Sequence, residues 1–305
     1  MTAAPAITEI APAKVNLFLH VGPVRRDRLH ALESLFVFTD DGDRVSAAPA
    51  RDISLAITGP FARELAPFPI ESNLVWRAAH ALKAAAGVSE GAALTLDKRL
   101  PIASGIGGGS ADAAAALRAL CALWKLDISE PALHAIAFRL GADVPACLSA
   151  HPVFVSGAGE KIESGPRLPP LWTVLVNPLV EMPTGPIFRA FDKRYPSPPA
   201  PDAARTVAIA TYADLRDYLQ NTRNDLEPFA AARQSSIAAV SEFIAECPGA
   251  LLARMSGSGA TVFGLFTSAE SALRASRRAR SKGWWSMSAR VASGGAECSG
   301  GSRAR

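Results

Sequence analysis

Four of the five residues from 105 to 109 are glycine, and an alanine-rich stretch follows them as far as Lys125. Gly105, Gly107, Gly108 and Gly109 carry no Cβ, so the backbone here can take φ > 0 and let a bulky ligand reach its N–H groups. Behind them Leu117, Leu120, Cys121 and Trp124 recur at helical spacing, which predicts a helix with one buried stripe. Ser110 or the residues just before it would cap that helix. Ala111, Ala113, Ala114 and Ala115 keep its first turns narrow. A glycine loop ending in a helix N-terminus aims unpaired N–H groups and the positive end of the macrodipole at one point, which suits phosphate.

A lone glycine cluster is equally what a flexible turn looks like. Two more specific readings are weaker. Asp127 lies about twenty residues past Gly105, the spacing of the ribose-binding acid in a dinucleotide loop. It follows a helix directly, however, and not a second strand. No Gly-Lys-Ser/Thr closes the run, so a Walker A loop is also excluded. The phosphate loop of another kinase class remains, and it needs partners elsewhere in the chain.

With 305 residues, 49% hydrophobic and 20% charged, the chain can bury two cores, and we expect two domains. No apolar run reaches the ~18 residues of a membrane span. The first ten residues show no basic region followed by an apolar block, so no secretory leader is expected. Cys121, Cys147, Cys247 and Cys298 lie far apart without a Cys-x-x-Cys pair. Neither a disulfide framework nor a zinc site is suggested, which fits a reducing cytoplasm. Net charge is +4 and the pI is near 9.0, with much of the excess at Arg274, Arg277, Arg278, Arg280, Lys282, Arg303 and Arg305. That segment reads first as a solvated helix face and a loose tail, since it lacks the interleaved aromatics of a nucleic-acid surface. A mildly basic chain suits anionic small substrates equally well.

In chain order, residues 11–21 alternate like a strand, with Val15, Leu17, Leu19 and Val21 on one face and Lys14, Asn16, Phe18 and His20 on the other. Further strands are expected over 32–40, 53–57 and 93–98, and a helix from Ser72-Asn73 to a cap at Gly87. A second helix over 131–140 ends at Gly141, and Ala142-Asp143-Val144-Pro145 follows. Asp143 is expected in rigid, extended backbone ahead of the proline, either as a carboxylate pinned near the phosphate loop or as an ordinary turn aspartate. Residues 153–162 read as a hairpin broken at Gly157 and Gly159. A proline-rich run over 164–170 marks a domain junction, dividing the chain into 1–163, 164–293 and a disordered tail, 294–305. Beyond the junction come a strand over 172–176, a loop into a helix over 182–188, an exposed proline-rich stretch over 195–202 and a capping run over 224–228. A second glycine loop at 255–260 precedes a strand.

Three of these stretches, in this order, resemble the three motifs of the GHMP small-molecule kinases: Pro12-Ala13-Lys14-Val15-Asn16, residues 101–114, and Met255-Ser256-Gly257-Ser258-Gly259-Ala260. Any one motif is weak and the ordered set is specific. The triple glycine before Ser110, the 141–145 run and the 224–228 run are similar to one branch, which acts on a cytidine-diphosphate-linked methylerythritol in isoprenoid synthesis. The resemblance covers residues 10–290.

The resemblance implies an α+β, two-domain kinase fold. Its N-terminal domain would be like one found in ribosomal proteins, with a β-α-β crossover of the unusual left hand, followed by a C-terminal α/β domain and a site between the two. ATP would lay its phosphates along Pro101, Ile102, Ala103, Ser104, Gly105, Ile106, Gly107, Gly108, Gly109, Ser110 and Ala111, with Lys98 approaching the nucleotide. Mg2+ would bridge the phosphates near Ser110, and no metal ligand is assigned. Asp143 would accept or orient the substrate's hydroxyl proton, and Lys14 would offset charge on the moving phosphoryl group. Asn16 would sit near the substrate's polar chain, His30 on the cytosine edge, and Thr184 and Phe188 on the far side of that pocket. Relatives carry Asp-Gly-Tyr-His where this chain has Asp27-Arg28-Leu29-His30, so a stacking ring worth on the order of 1 kcal/mol is replaced by leucine. The expected partner is a small molecule, with neither nucleic acid nor membrane. Homoserine or a mevalonate-like alcohol is the alternative acceptor, and a nucleic-acid-binding module on a ribosomal-protein-like fold is the alternative class.

Overall fold

The structure is a computed structural model and describes residues 6–201 and 209–293. The expected tail over 294–305 lies outside the described residues. The first half contains β1 (Ile7–Val24), β2 (His30–Ala50), β3 (Ser54–Thr58), α1 (Ala62–Leu65), α2 (Leu74–Ala86), β4 (Gly91–Asp97), α3 (Gly108–Leu123), α4 (Glu130–Leu140), α5 (Val144–Ser149), β5 (Val153–Gly157) and β6 (Lys161–Ser164). The second half adds β7 (Leu171–Asn177), α6 (Thr184–Arg194), α7 (Tyr212–Gln220), α8 (Glu227–Arg233), α9 (Ser235–Ala245), β8 (Ala250–Met255), β9 (Val262–Phe266), α10 (Ala269–Ser281) and β10 (Trp285–Val291).

Local chemistry explains the clearest boundaries. The Asn73 side chain accepts the Val75 N–H at the start of α2, satisfying one of the donors a helix leaves open. Gly87 ends the same helix at φ 63°, a conformation that costs glycine little. Thr211 and Asp214 form a reciprocal capping box on α7.

One path of strands runs β3-β4-β2-β10-β7-β9-β8, with β1 beside β2, and β5 between β2 and β6. β3 and β4 are parallel and are joined through α1 and α2, so a β-α-β crossover is present. The two halves of the sheet meet where Val291 of β10 pairs with Thr39 of β2. Beside that pair, the Ala292 N–H donates to Phe38 O at 2.8 Å.

Two expectations are corrected in β1 and β2. The run Asp40-Asp41-Gly42-Asp43 reads as the end of a strand, but β2 continues through it to Ala50. The extra residues are absorbed as an irregularity between the pairs Pro12–Gly42 and Lys14–Phe38. A second irregularity lies between the pairs Asn16–Phe36 and Phe18–Leu35. It shifts the alternation, so Phe18 joins Leu17 in one core cluster instead of sharing a face with Lys14 and Asn16. Lys14, Asn16 and His20 are themselves buried.

α3 also departs from a single apolar stripe. Ala111, Ala113, Ala114, Ala115, Ala116 and Ala119 are all fully buried, while Cys121 and Trp124 are only partly so. Small side chains let α2, α5 and the strands of β1 and β2 close around it, so the helix is covered on most of its surface. Among the described residues no helix is long and apolar enough to cross a membrane. At the C-terminal end of α10, Arg278 and the following Lys282 lie over the Phe243 ring, and Lys282 also lies over Trp284.

Arg254 ties β8 to β1 and α7 from inside. Its guanidinium donates to Leu17 O (2.7 Å), Leu219 O (2.9 Å) and Thr222 O (2.8 Å), and to the Thr222 hydroxyl. Burial lowers its pKa to about 10, still cationic at neutral pH. Arg254→Met would leave those carbonyls without a donor, and urea unfolding is expected to show a loss of about 3 kcal/mol or more.

Candidate active site

The glycine loop is held at its entry. Lys98 N–H donates to Thr58 O at 2.8 Å, and Asp43 Oδ1 accepts from Arg99 N–H and, at 2.8 Å, from Leu100 N–H. The Ser104 hydroxyl closes onto Pro101 O at 2.7 Å. Gly105 and Gly107 then take φ 77° and 65°, and α3 begins at Gly108, one residue past Gly107. Ser110 therefore lies inside the first turn and does not cap it. The first helical bond runs from Ala111 N–H to Gly107 O, leaving the N–H groups of Gly108, Gly109 and Ser110 without an intrahelical partner.

Lys14 stands against this loop. A Cβ on Gly107 would lie 3.0 Å from Lys14 Cβ and 3.2 Å from its Cε, so the lysine stem fills the space the glycine leaves. Lys14 N–H donates to Ile106 O at 2.9 Å. Its ammonium lies 3.9 Å from the centroid of the Phe36 ring and 2.9 Å from Asp143 Oδ2. The lysine side chain is 6% exposed and the Asp143 carboxylate 35% exposed, so the pair opens outward at the acid. Asp143 is not extended. It takes φ −85°, ψ −14° at the head of α5, because Pro145 falls in that helix's first turn, where a missing N–H costs no helical bond.

The second glycine loop, 256–261, docks on the first. The Ser256 hydroxyl donates to Gly105 O at 2.9 Å, and Thr261 N–H donates to Ser104 O at 3.2 Å. A Cβ on Gly105 would approach Ser256 O to 2.4 Å. Asn224 reaches across with Nδ2 donating to Met255 O and Gly257 O, both at 2.8 Å, while its Oδ1 accepts from Leu226 N–H. Sequence reasoning read the 224–228 run as a cap and missed this tie. Asn16 is buried at the same junction. Its amide donates to the Ser34 hydroxyl at 2.9 Å, and its backbone N–H donates to Ser256 Oγ at 3.1 Å.

Lys98 lies against the glycine loop but not as a free cation. Its ammonium is 2.5 Å from Asp43 Oδ2 and 2.7 Å from Asp112 Oδ2. Burial alone would lower its pKa, but the two carboxylates outweigh that and the net direction is up. Burial pushes Asp112 up to about 8. Asp112 falls inside the 101–114 motif without a role assigned to it there, and Asp43 lies outside all three motifs.

A third group gathers on α6. Thr184, Phe188 and Asp192 recur every four residues on one helical face. The Thr184 hydroxyl is 2.8 Å from Ser258 Oγ, and the Phe188 ring lies 5.0 Å from the His30 ring at a 31° tilt. His30 Nδ1 is 2.9 Å from Gly22 O and its Nε2 is 3.1 Å from Asp192 Oδ1, so both ring nitrogens already face protein oxygens. Leu29 is 54% exposed.

Beside the first turn of α3 is a cavity of about 480 Å3, walled by Ile57, Leu65, Phe68, Asn73, Leu74 and Ile102, with Gly108 and Gly109 at its rim. An apolar slot ending in open helix N–H groups fits a nucleotide, with the base in the slot and the phosphates on the helix. Among the described residues no cluster of three or more His, Cys, Asp or Glu is arranged to hold a metal ion. Gly105→Ala tests the loop contact. The methyl group would force apart Gly105 and Ser256 and would sit at an unfavourable φ, so a melting scan should show a loss of about 1–3 kcal/mol together with a raised KM for nucleotide.

Comparison with known proteins agrees with this geometry. The family model described as "GHMP kinases N terminal domain" matches residues 73–151, and that described as "GHMP kinases C terminal" matches 207–283. The 4-diphosphocytidyl-2-C-methyl-D-erythritol kinase of Cereibacter sphaeroides (strain ATCC 17029 / ATH 2.4.9) is 49% identical over 92% of this chain and 98% of its own. That of Hyphomonas neptunium is 45% identical over 95% and 98%. A crystal structure of 4-(cytidine 5'-diphospho)-2C-methyl-D-erythritol kinase superposes with a TM-score of 0.77 at 32% identity, covering 94% of this chain and 100% of that one. A homoserine kinase from Cytophaga hutchinsonii shares the fold, with a TM-score of 0.71 at 19% identity over 96% of each chain. The chain therefore belongs to the GHMP kinases and, within them, to the family of the 4-diphosphocytidyl-2-C-methyl-D-erythritol kinases.

Proposed function

We propose that this ATP-dependent small-molecule kinase phosphorylates the 2-hydroxyl of 4-diphosphocytidyl-2-C-methyl-D-erythritol, a step of the non-mevalonate route to isoprenoids. The observation that carries the reading is the Lys14–Asp143 pair at 2.9 Å, with the Lys14 stem packed on Gly107 at the head of α3. An acid, a cation and open helix N–H groups thus border one place where a hydroxyl could meet a terminal phosphate. The names of relatives that are 45–50% identical over most of the chain support the acceptor.

Asp143 holds the acceptor hydroxyl and takes its proton as the new P–O bond forms. Because the transition state of phosphoryl transfer is loose, orienting that oxygen matters more than the strength of the base. Lys14 faces the charge that develops on the transferred group and is desolvated enough to act strongly on it. Gly108, Gly109 and Ser110 offer N–H groups to the nucleotide phosphates. Residues 101–103 and Asn73 enclose the base. Mg2+, when bound, would supply positive charge that offsets the nucleotide phosphates at the head of α3, and no side chain of this protein is assigned as its ligand.

On the acceptor side, Phe188 stacks on cytosine, the role that exposed Leu29 cannot fill. His30 reads the base edge by exchanging Asp192 for the base at Nε2. Asn16 and Ser256 support the floor beneath the substrate chain. Residues 1–163 and 164–293 serve as the two domains, each holding one of the matched family regions. The free thiols of Cys121, Cys147 and Cys247 favour a cytoplasmic location.

Purified protein with ATP and Mg2+ should phosphorylate the cytidyl substrate with a far higher kcat/KM than homoserine or mevalonate. Equal or better turnover of either alcohol would overturn the assignment. Asp143→Asn should lower kcat by about 10²–10⁴-fold and Lys14→Met by about 10²–10³-fold, each with the fold intact by circular dichroism. Near-normal turnover by either variant would remove that residue from the chemistry.

A further inference from the structure

Under the first turn of α3, three ionisable side chains from three separate segments close on one another. Asp43 of β2, Lys98 of the β4–α3 connection and Asp112 of α3 are 0%, 3% and 3% exposed. The Lys98 ammonium bridges the two acids. Asp43 Oδ1 holds the backbone of residues 99 and 100, so the same carboxylate sets the approach to the glycine loop. A Cβ on Gly108 would lie 2.9 Å from Lys98 Nζ, which puts the cluster directly against the helix end. Lys98, Gly108 and Asp112 share the wall of the cavity described above.

The charge count is the difficulty. Two carboxylates and one ammonium, all ionised, leave one net negative charge beneath N–H groups that must receive phosphate, and like charge there opposes binding. Asp112 Oδ1, moreover, is buried with no hydrogen-bond partner, a costly place for an ionised oxygen. A single proton on Asp112 removes the net charge and makes its unpartnered Oδ1 part of a neutral acid, which is less costly to bury than an ionised oxygen. We propose that Asp43, Lys98 and Asp112 form an electrically neutral triad that positions the phosphate loop, with Asp112 present as a carboxylic acid hydrogen-bonded to Asp43.

Burial is the largest influence on Asp112; Lys98 pulls the other way, the Asp43 charge and hydrogen bond add to burial, and the result is about 8. Of the other charged groups nearby, Lys14 of β1 is paired with Asp143. Cys147 of α5 is held as a thiol, burial raising it to about 12. The triad is a positioning device and touches neither the acceptor nor the transferred phosphoryl group. Its effect on ATP rests on the nucleotide reading above, whereas its protonation does not.

The experiment therefore has two arms. In the first, urea unfolding of the wild type and of Asp112→Asn is followed from pH 4 to 9. A raised native pKa means the folded wild type binds a proton that the unfolded chain has already released between pH 4 and 8. Wild-type stability should thus fall relative to the variant as pH rises through that window, with a slope difference approaching one proton. Parallel curves would overturn the proposal. Should Asp112→Asn fail to fold, carboxyl-detected NMR titration of the wild type decides the same point, and an Asp112 transition below pH 5 would overturn it.

In the second arm, the wild-type KM for ATP should rise up to about fivefold between pH 8 and 9 as the neutral acid is lost, with kcat less affected. Asp112→Asn, which keeps a donor toward Asp43, should abolish that rise. Asp112→Leu and Asp43→Asn, which break the hydrogen bonding, should raise KM for ATP by tenfold or more, and the asparagine at 112 should restore most of what leucine loses. A pH rise that persists in Asp112→Asn would overturn the proposal. A wild type that does not use ATP would instead overturn the nucleotide reading and leave the first arm to judge the triad.

Discussion

The site depends on one missing side chain. Gly107 leaves a space at the head of α3, and the Lys14 stem occupies it so closely that an added Cβ would lie 3.0 Å from Lys14 Cβ and 3.2 Å from its Cε. That contact brings an ammonium from β1, on the central sheet, to the N-terminal end of a helix nearly a hundred residues further along. Any Cβ at 107 would have to share the space with Lys14, and φ 65° would strain it further. Glycine here is a condition for an N-terminal cation, a helix N-terminus and Asp143 to occupy one cleft.

Around that contact the protein arranges charge in two layers. The outer layer is the Lys14–Asp143 pair, open to solvent at the acid, the place proposed for the acceptor hydroxyl. The inner layer is the Lys98 cluster, shut away from water, where charge serves to hold backbone. The sequence treats both lysines alike, as cations next to motif residues. The fold separates them by burial: one acid of the outer pair is 35% exposed, whereas the inner acids are almost fully enclosed. A desolvated cation with two buried acids cannot leave them without exposing uncompensated charge.

What was legible in the sequence follows from the range of each interaction. The glycine loop, the helix behind it and the Asn73 and Gly87 caps are local signals, and they are present where expected; Lys14 and Asp143 came from motif strings and lie 2.9 Å apart. The bulges in β1 are not local. They depend on how β2 pairs, and they moved Phe18 into the core and buried Asn16. Asp43, Asn224 and Asp192 act on residues 55, 31 and 162 positions away, so no spacing rule could pick them out. The extended backbone expected at Asp143 failed because the proline rule acts on Val144, directly before Pro145, and leaves Asp143 free to open α5, whose first turn accepts the proline.

The central claim is spatial: the acceptor hydroxyl and the terminal phosphate of ATP meet between Asp143, Lys14 and the N–H groups at the head of α3. A crystal structure of the protein with a non-hydrolysable ATP analogue and the cytidyl substrate tests it most directly. The account predicts that the terminal phosphate lies within hydrogen-bond reach of both Lys14 Nζ and the 108–110 amides, with the 2-hydroxyl against Asp143. A nucleotide bound away from α3, or a hydroxyl facing away from Asp143, would contradict it.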